Sequence, residues 1–124
     1  MYEVFKSGTG RWSQVDGIKI CGKTGTSENF VVLDGIKKQL EDHSILVAFA
    51  PKENPKIAMA VFVENGGYGS TYAAPITSLI IEKYINGKIS NKNKLREKNM
   101  LTKSLEPIYS QRYEKPVDFE TGTK

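Results

Sequence analysis

Several sequence features that are typical of particular classes of protein are scarce or missing in this chain of 124 residues. It has one cysteine, Cys21, which excludes an internal disulfide and a zinc site built from several cysteines. Its longest uninterrupted apolar run, residues 57–63, is far shorter than the ~20 residues that cross a bilayer. The first residues have neither the basic segment nor the long apolar segment of a signal peptide. The sequence therefore predicts one small domain, or part of a larger one, with no membrane-spanning helix of its own.

An excess of one charge occurs only near the end of the chain. The formal net charge is +4, but residues 1–87 carry nine basic and nine acidic side chains. The excess therefore lies in residues 88–124, where no aromatic platform alternates with the lysines as a nucleic-acid surface would require. We predict a domain over residues 1–87 and a basic, largely disordered tail over residues 88–124, with a short helix at 95–105 and no nucleic-acid partner.

Hydrophobic periodicity predicts three strands in the first domain. Apolar and polar side chains alternate from Ile18 within a predicted strand over residues 15–26. Residues 44–50 and 56–64 are also typical of strands, and the turn with two prolines between them predicts a hairpin. The charged segment at 29–42 is interpreted as a mobile loop between strands.

One amphipathic helix is predicted after the glycine-rich segment 65–69. Ser70 or Thr71 is expected to cap it, Pro75 suits its first turn, and Gly87 is expected to end it. Its apolar stripe is expected to lie across one sheet face and consists of Ile76, Leu79, Ile80 and Tyr84. The fold class is thus α+β with an antiparallel sheet. A single helix covers one sheet face only, so we expect further elements to complete the domain.

Residues 17–24 formally match the phosphate-binding pattern G-x-x-x-x-G-K-[ST]. Such a loop needs a buried strand before its first glycine and a helix that begins at its lysine, so that backbone N–H groups surround the phosphates. Residues 11–16 do not form an apolar strand pattern, and Gly25 disfavours a helix. A nucleotide-binding loop at 17–24 is therefore the weaker alternative.

The overlapping run Lys23-Thr24-Gly25-Thr26 lies on the predicted first strand. A lysine there offers a positive charge to a carboxylate, and threonine hydroxyls add directional hydrogen bonds. Gly25 removes a side chain, so an extended peptide can pair closely with the strand. K-T-G is also a motif of penicillin-binding proteins and serine β-lactamases. A noncatalytic module that presents a strand edge to peptides is the alternative that this run leaves open.

Segments on both sides of the motif resemble class B penicillin-binding proteins over about residues 2–87. They occur in the order Gly8-Thr9-Gly10, the run 18–27, Asp42-His43-Ser44 followed by 47–51, the run 54–58, and 63–67. The long insert after K-T-G and the run Glu64-Asn65-Gly66-Gly67 are similar to penicillin-binding protein 2, the elongation transpeptidase. The resemblance implies the C-terminal part of a penicillin-binding/serine β-lactamase-like transpeptidase domain.

The resemblance also implies a function. Such enzymes cross-link peptidoglycan stem peptides that end in D-Ala-D-Ala by serine acyl transfer, without a metal or cofactor, and β-lactams acylate them. Lys23 would orient the substrate carboxylate and support proton transfer, and the hydroxyls of Thr24 and Thr26 would bind that carboxylate. The backbone N–H of Thr26 would supply half of the oxyanion hole. The implied location is the periplasmic side of the bacterial inner membrane, reached through an N-terminal anchor outside this chain.

The sequence departs from the family in its nucleophile. None of its serines is followed three residues later by lysine, so the S-x-x-K motif is absent. Ser27-Glu28-Asn29 spells S-x-N, but it adjoins K-T-G, whereas the family carries that motif on a separate upstream loop; we interpret it as coincidence. We expect a truncated piece of the domain, either an engineered one or a gene fragment that begins at an internal methionine. It is expected to be inactive alone and to work with the remainder of the transpeptidase domain.

Three other residues receive structural interpretations. His43, beside Asp42, is expected to fix the start of the following strand rather than to act as a base. Cys21 is expected to be a buried strand thiol. Trp12 is expected to be a packing residue.

Overall fold

The computed structural model of the protein describes residues 1–105, which form five strands and three α-helices. The strands are β1 (Cys21–Ser27), β2 (Phe30–Leu33), β3 (Ile36–Gln39), β4 (His43–Ala50) and β5 (Ile57–Val63). The helices are α1 (Tyr2–Lys6), α2 (Ala73–Asn86) and α3 (Lys94–Thr102), with 3-10 turns at Arg11–Ser13 and Asn91–Asn93. No helix in the described part of the chain is long and apolar enough to span a membrane.

The three predicted strands form one antiparallel sheet in the order β1-β4-β5, which confirms the α+β class. The first strand begins later than predicted, at Cys21. Gly17 has a φ of +81°, and a bridge from Val15 to Ile18 closes a turn there, so the chain reverses before it enters β1. The apolar residues Ile18 and Ile20 alternate because both side chains are buried, although both residues precede β1.

The central strand β4 separates two unlike sheet faces. Every second residue from Ser44 to Ala50 is at most 5% exposed, and this face packs against α1 and α2. The other face carries Val47 and Phe62, which are 44% and 59% exposed. Elements within residues 1–105 therefore cover only one face of the sheet. This agrees with the sequence, which predicted one helix to cover the sheet.

Helix α2 turns a different face to the sheet from the predicted one. Ala73, Ala74 and Ile81 belong to the buried core. The small side chains of the two alanines let the helix approach the strands closely. The predicted stripe instead lines a groove between α2 and α3, where Ile80 and Tyr84 remain 43% and 62% exposed. The prediction was wrong because the helix is apolar on two sides, and periodicity picked out the side with the larger residues.

The ends of α2 agree in part with the sequence. Gly87 ends the helix in the left-handed conformation, with a φ of +81°, and its N–H donates to the carbonyl of Lys83 at 2.9 Å. The N-cap is Tyr72, which makes no side-chain capping hydrogen bond, so the prediction of Ser70 or Thr71 as the cap was wrong. The hydroxyl of Ser44 on β4 instead accepts the N–H of Ala73, the first residue of the helix, at 3.2 Å. Pro75 lies in the first turn, as predicted.

The predicted mobile loop at 29–42 contains a β-hairpin formed by β2 and β3. Asp34 and Gly35 connect the strands with φ values of +54° and +78°, the left-handed pair that a tight type I′ turn requires. The loop prediction was wrong because every β3 side chain is exposed, so this strand lacks the buried face that produces alternation.

Helix α3 lies within the segment for which the sequence predicted a largely disordered tail, at nearly the place where it predicted a short helix. The domain boundary at residue 87 stays a prediction, and residues 106–124 lie outside the described residues.

The side chain of Arg96 holds α3 against the rest of the domain. Its guanidinium donates to the carbonyls of Trp12 (2.9 Å) and Gln14 (3.2 Å) and to the hydroxyl of Ser78 (3.0 Å).

A buried carboxylate lies next to this cation. Glu82 is 2% exposed and accepts two hydrogen bonds from the amide of Asn93, at 3.0 and 3.1 Å. Burial lowers the pKa of Arg96, while the charge of Glu82 acts in the opposite direction. Arg96 thus joins α3 both to α2 and to the segment that leads into β1.

Replacing Arg96 with alanine is expected to release α3, because three acceptors lose a charged donor. Hydrogen bonds to charged groups contribute about 1.5–3 kcal/mol, so the free energy of local opening should fall by about that amount. Amide hydrogen exchange across residues 94–102 measures it. Lys94→Ala is the matched control, since the side chain of Lys94 pairs with Glu97 at the exposed surface, at 3.5 Å. Equal exchange in the two variants would contradict a role for Arg96.

Candidate functional site

The run Lys23-Thr24-Gly25-Thr26 lies on β1, which is an edge strand of the sheet in the described structure. The N–H of Gly22 donates to the carbonyl of Met1 at 3.1 Å and so points away from β4. Because successive residues of a strand point their N–H groups to opposite edges, the N–H groups of Thr24 and Thr26 also point to the outer edge. The ammonium of Lys23 lies at this edge too and donates to the carbonyl of Thr24 at 2.9 Å.

The side chains of the motif divide between the two sheet faces. Thr24 and Thr26 pair with Leu46 and Ser44 of β4, so their side chains lie on the face that α1 and α2 cover. Lys23 and Gly25 pair with residues of the opposite face. The hydroxyls and the ammonium therefore flank the strand edge from two sides.

The two glycines of β1 differ in the space around them. A Cβ added to Gly25 would meet nothing closer than Ile45 Cβ at 3.7 Å, an ordinary contact. A Cβ added to Gly22 would lie 2.8 Å from Phe5 Cε2 and 2.9 Å from the carbonyl oxygen of Val47. Packing within the described residues thus requires glycine at 22 but not at 25.

Two segments distant in sequence meet at Thr24. Its hydroxyl is 3.0 Å from the hydroxyl of Thr9, in the loop after α1. On another side lies Gly69, where an added Cβ would be 2.9 Å from Thr24 Cβ. Ser44 fixes this second segment, because its hydroxyl donates to the carbonyl of Tyr68 at 2.9 Å. The sequence assigned no site role to Thr9 or Gly69, although the run Gly8-Thr9-Gly10 was one of the segments that carried the family resemblance.

Asn29 lies outside this strand edge. It is 3% exposed, and its amide donates to the carbonyl of Glu41 (2.8 Å) and to Oδ1 of Asn65 (2.6 Å). Its contacts join the hairpin segment to the turn after β5, which agrees with the interpretation of S-x-N as coincidence.

His43 is the first residue of β4, and its Nδ1 accepts the N–H of Asn65 at 3.0 Å. The neighbouring carboxylate of Asp42 accepts from the N–H of Asn29 at 3.2 Å and from the amide of Gln39 at 3.2 Å. These contacts hold the beginning of β4, as predicted for His43.

The remaining predicted residues lie as follows. Cys21 is buried at 3% exposure, as expected for a strand thiol. Trp12 is 78% exposed, so its interpretation as a packing residue was wrong; the 3-10 turn buries its neighbour Ser13 instead. Lys23 and Thr24 continue β1 and do not begin a helix, so residues 17–24 lack the geometry of a phosphate-binding loop.

Comparison with known proteins identifies the family of this strand arrangement. Residues 1–82 match the family described as the penicillin-binding protein transpeptidase domain. The chain belongs to this family. The match covers the motif strand, the hairpin, β4, β5 and most of α2, and it agrees with the resemblance found in the sequence.

Individual relatives of this chain are longer. The peptidoglycan D,D-transpeptidase MrdA of Haemophilus influenzae is 34% identical over 122 aligned positions, which cover 87% of this chain and 19% of that protein. The structure of Pseudomonas aeruginosa PBP2 in complex with WCK 5153 has 32% identity and a TM-score of 0.50, covering 73% of this chain and 19% of the other. A D,D-transpeptidase domain from Eggerthella lenta has 30% identity and a TM-score of 0.51, covering 69% and 18%. The chain spans about a fifth of these relatives.

Proposed function

We propose that this chain provides the substrate-binding strand of a peptidoglycan D,D-transpeptidase that acts in cell-wall elongation. The observation that supports this most directly is the open outer edge of β1, where the motif presents an ammonium, two hydroxyls and the outward N–H of Thr26. An acyl-transfer enzyme needs such groups, because they bind a peptide carboxylate and stabilise negative charge on a reacting carbonyl oxygen.

Each group has a distinct role in this proposal. A stem peptide ending in D-Ala-D-Ala lies along β1, and its terminal carboxylate binds the ammonium of Lys23 and the hydroxyls of Thr24 and Thr26. The N–H of Thr26 donates to the oxygen of the scissile carbonyl as the serine attacks and the oxygen becomes negative. Lys23 also supports proton transfer to the leaving amine through the serine of the second family motif. β-Lactams occupy the same positions, since they combine a carboxylate with a reactive carbonyl.

The serine nucleophile must come from elsewhere in the transpeptidase domain, since no S-x-x-K occurs in this sequence. The uncovered sheet face, with Val47 and Phe62 exposed, supports the proposal that the remainder of the domain packs there. By analogy with the family, we propose that the complete enzyme is held at the periplasmic side of the inner membrane.

A graft tests the function. In it, residues 1–105 of this chain replace the segment of H. influenzae MrdA that aligns with them. We expect a fluorescent penicillin to label the graft covalently, and unlabelled penicillin to compete. The matched control is the same graft with alanine in place of the nucleophilic serine of MrdA, which should not be labelled.

The 124-residue chain by itself should not be labelled covalently. Covalent labelling of it would contradict the assignment of the nucleophile to another segment. A folded graft that remains unlabelled while MrdA itself is labelled would refute the transpeptidase proposal. Reversible binding of an acyl-D-Ala-D-Ala peptide by such an unlabelled graft would instead favour the noncatalytic peptide-binding module.

A further inference from the structure

The loop Gly8-Thr9-Gly10 connects α1 to the 3-10 turn at Arg11–Ser13 and reaches the motif strand through the side chain of Thr9. The hydroxyls of Thr9 and Thr24 lie 3.0 Å apart, although the residues are 15 positions apart in sequence. The run Gly8-Thr9-Gly10 is one of the segments that carry the family resemblance, but neither the site roles that the resemblance implies nor the roles proposed above include Thr9. We propose that Thr9 is a positioning residue that aims the hydroxyl of Thr24 at the carboxylate of the bound peptide or β-lactam. This inference rests on the proposed function.

The loop holds Thr9 in place through its two glycines. The N–H of Gly8 donates to the carbonyl of Glu3, and that of Gly10 donates to the carbonyl of Val4, both at 2.8 Å. An added Cβ at Gly8 would lie 3.0 Å from Val4 Cα, and one at Gly10 would lie 3.3 Å from the carbonyl oxygen of Val4. Only a loop without side chains at these positions packs so closely on α1, and Thr9 is the side chain that it carries toward β1.

Thr24 is constrained from more than one direction. Its β-branched side chain has few rotamers, and the backbone of Gly69 lies against its Cβ. The hydroxyl hydrogen, however, can still rotate about the C–O bond. A hydrogen bond to Thr9 removes that freedom, so the contact fixes the one degree of freedom that packing leaves open.

The chemistry of the ligand decides the direction of the bond. A carboxylate only accepts hydrogen bonds, so Thr24 must donate its single hydroxyl hydrogen to it. Thr24 can then only accept from Thr9, which gives the chain Thr9 to Thr24 to carboxylate. Hydrogen bonds in such a chain polarise one another, so the hydroxyl of Thr24 becomes a better donor to an anion. The inferred specificity is for ligands with a free carboxylate.

The test compares Thr9→Val with Thr9→Ser in the MrdA graft. We expect Thr9→Val to slow acylation by a carboxylate-bearing penicillin about 3- to 10-fold, the effect of one lost hydrogen bond, and Thr9→Ser to restore the rate. Acylation by the methyl ester of the same penicillin should change less than twofold, since the ester lacks the anion. In a Thr24→Val background, Thr9→Val should have no further effect.

Several results would overturn the positioning role. They are an unchanged rate in Thr9→Val, equal slowing with the ester, or slowing that persists in the Thr24→Val background. Thr9→Ala serves as a second variant if valine disturbs the loop, and the urea midpoint of each variant identifies such a disturbance. If the unmodified graft is not acylated, the proposed function itself fails, which is a different result from a labelled graft that is indifferent to Thr9.

Discussion

Replacing Gly25 with alanine in the MrdA graft is expected to lower the acylation rate about 10- to 100-fold without destabilising the protein. The added methyl group meets only Ile45, at 3.7 Å, and the backbone of Gly25 has no positive φ, so the folded state accommodates it. Alanine also restricts the unfolded chain, and the free energy of unfolding should stay within about 1 kcal/mol of the unmodified graft. In the proposed complex, a peptide that pairs with β1 meets this methyl group, and overcrowding of a packed contact costs about 1–3 kcal/mol.

Gly22→Ala is the matched substitution on the same strand. Here the methyl group would lie within 3.0 Å of both a ring carbon of Phe5 and a backbone oxygen of Val47. We expect the free energy of unfolding to fall by about 1–3 kcal/mol, because backbone cannot move aside as a flexible side chain does. Urea unfolding and the rate of acylation are measured for both variants. If Gly25→Ala destabilises the graft as much as Gly22→Ala does, the distinction between a binding glycine and a packing glycine is wrong.

Replacing Lys23 with alanine is expected to have the largest effect on activity. The ammonium lies at the outer edge of β1, bonded to the carbonyl of Thr24 at 2.9 Å, and its side chain is exposed. In the proposed function, its removal takes away both the charge that holds the ligand carboxylate and a group that supports proton transfer. Positioned proton transfer contributes about 10²- to 10⁴-fold, so acylation by a fluorescent penicillin should slow by a factor in this range. Stopped-flow or gel-based labelling measures the rate.

Lys23→Arg separates the two proposed roles of the lysine. Arginine keeps the positive charge but does not give up a proton in proteins. We therefore expect Lys23→Arg to retain most of the reversible affinity for the penicillin while the rate of the covalent step stays low. If arginine restores the covalent rate fully, Lys23 acts only through its charge. If alanine itself leaves the rate unchanged in a folded graft, the motif is not the substrate-binding strand.

Much of the sheet could be predicted because its signals are local. Strand β4 buries alternate side chains, and alternate side chains of β5 are partly buried against the same core. Their sequences therefore alternate or remain apolar, and a turn with two prolines separates them. The hairpin of β2 and β3 was missed because most of its side chains are exposed. Exposed strands need no alternation of apolar and polar residues, so the sequence carries no strand periodicity there. The face of α2 was misjudged because small residues such as Ala73 and Ala74 form the closest contact with a sheet, while periodicity gives more weight to large ones.

The sequence by itself determined the family, the motif strand and the lack of an S-x-x-K nucleophile. These depend on residue types at short spacing, which can be read directly from the chain. The tertiary structure decided which glycine of β1 packing requires, where Arg96 anchors α3, and that Thr9 meets Thr24. These depend on which backbone segments approach one another within about 3 Å, and this is set by strand register and by packing between residues far apart in sequence. The open edge of β1 combines both kinds of information: its residues were predicted, and its geometry follows from the position of β1 at the side of β4.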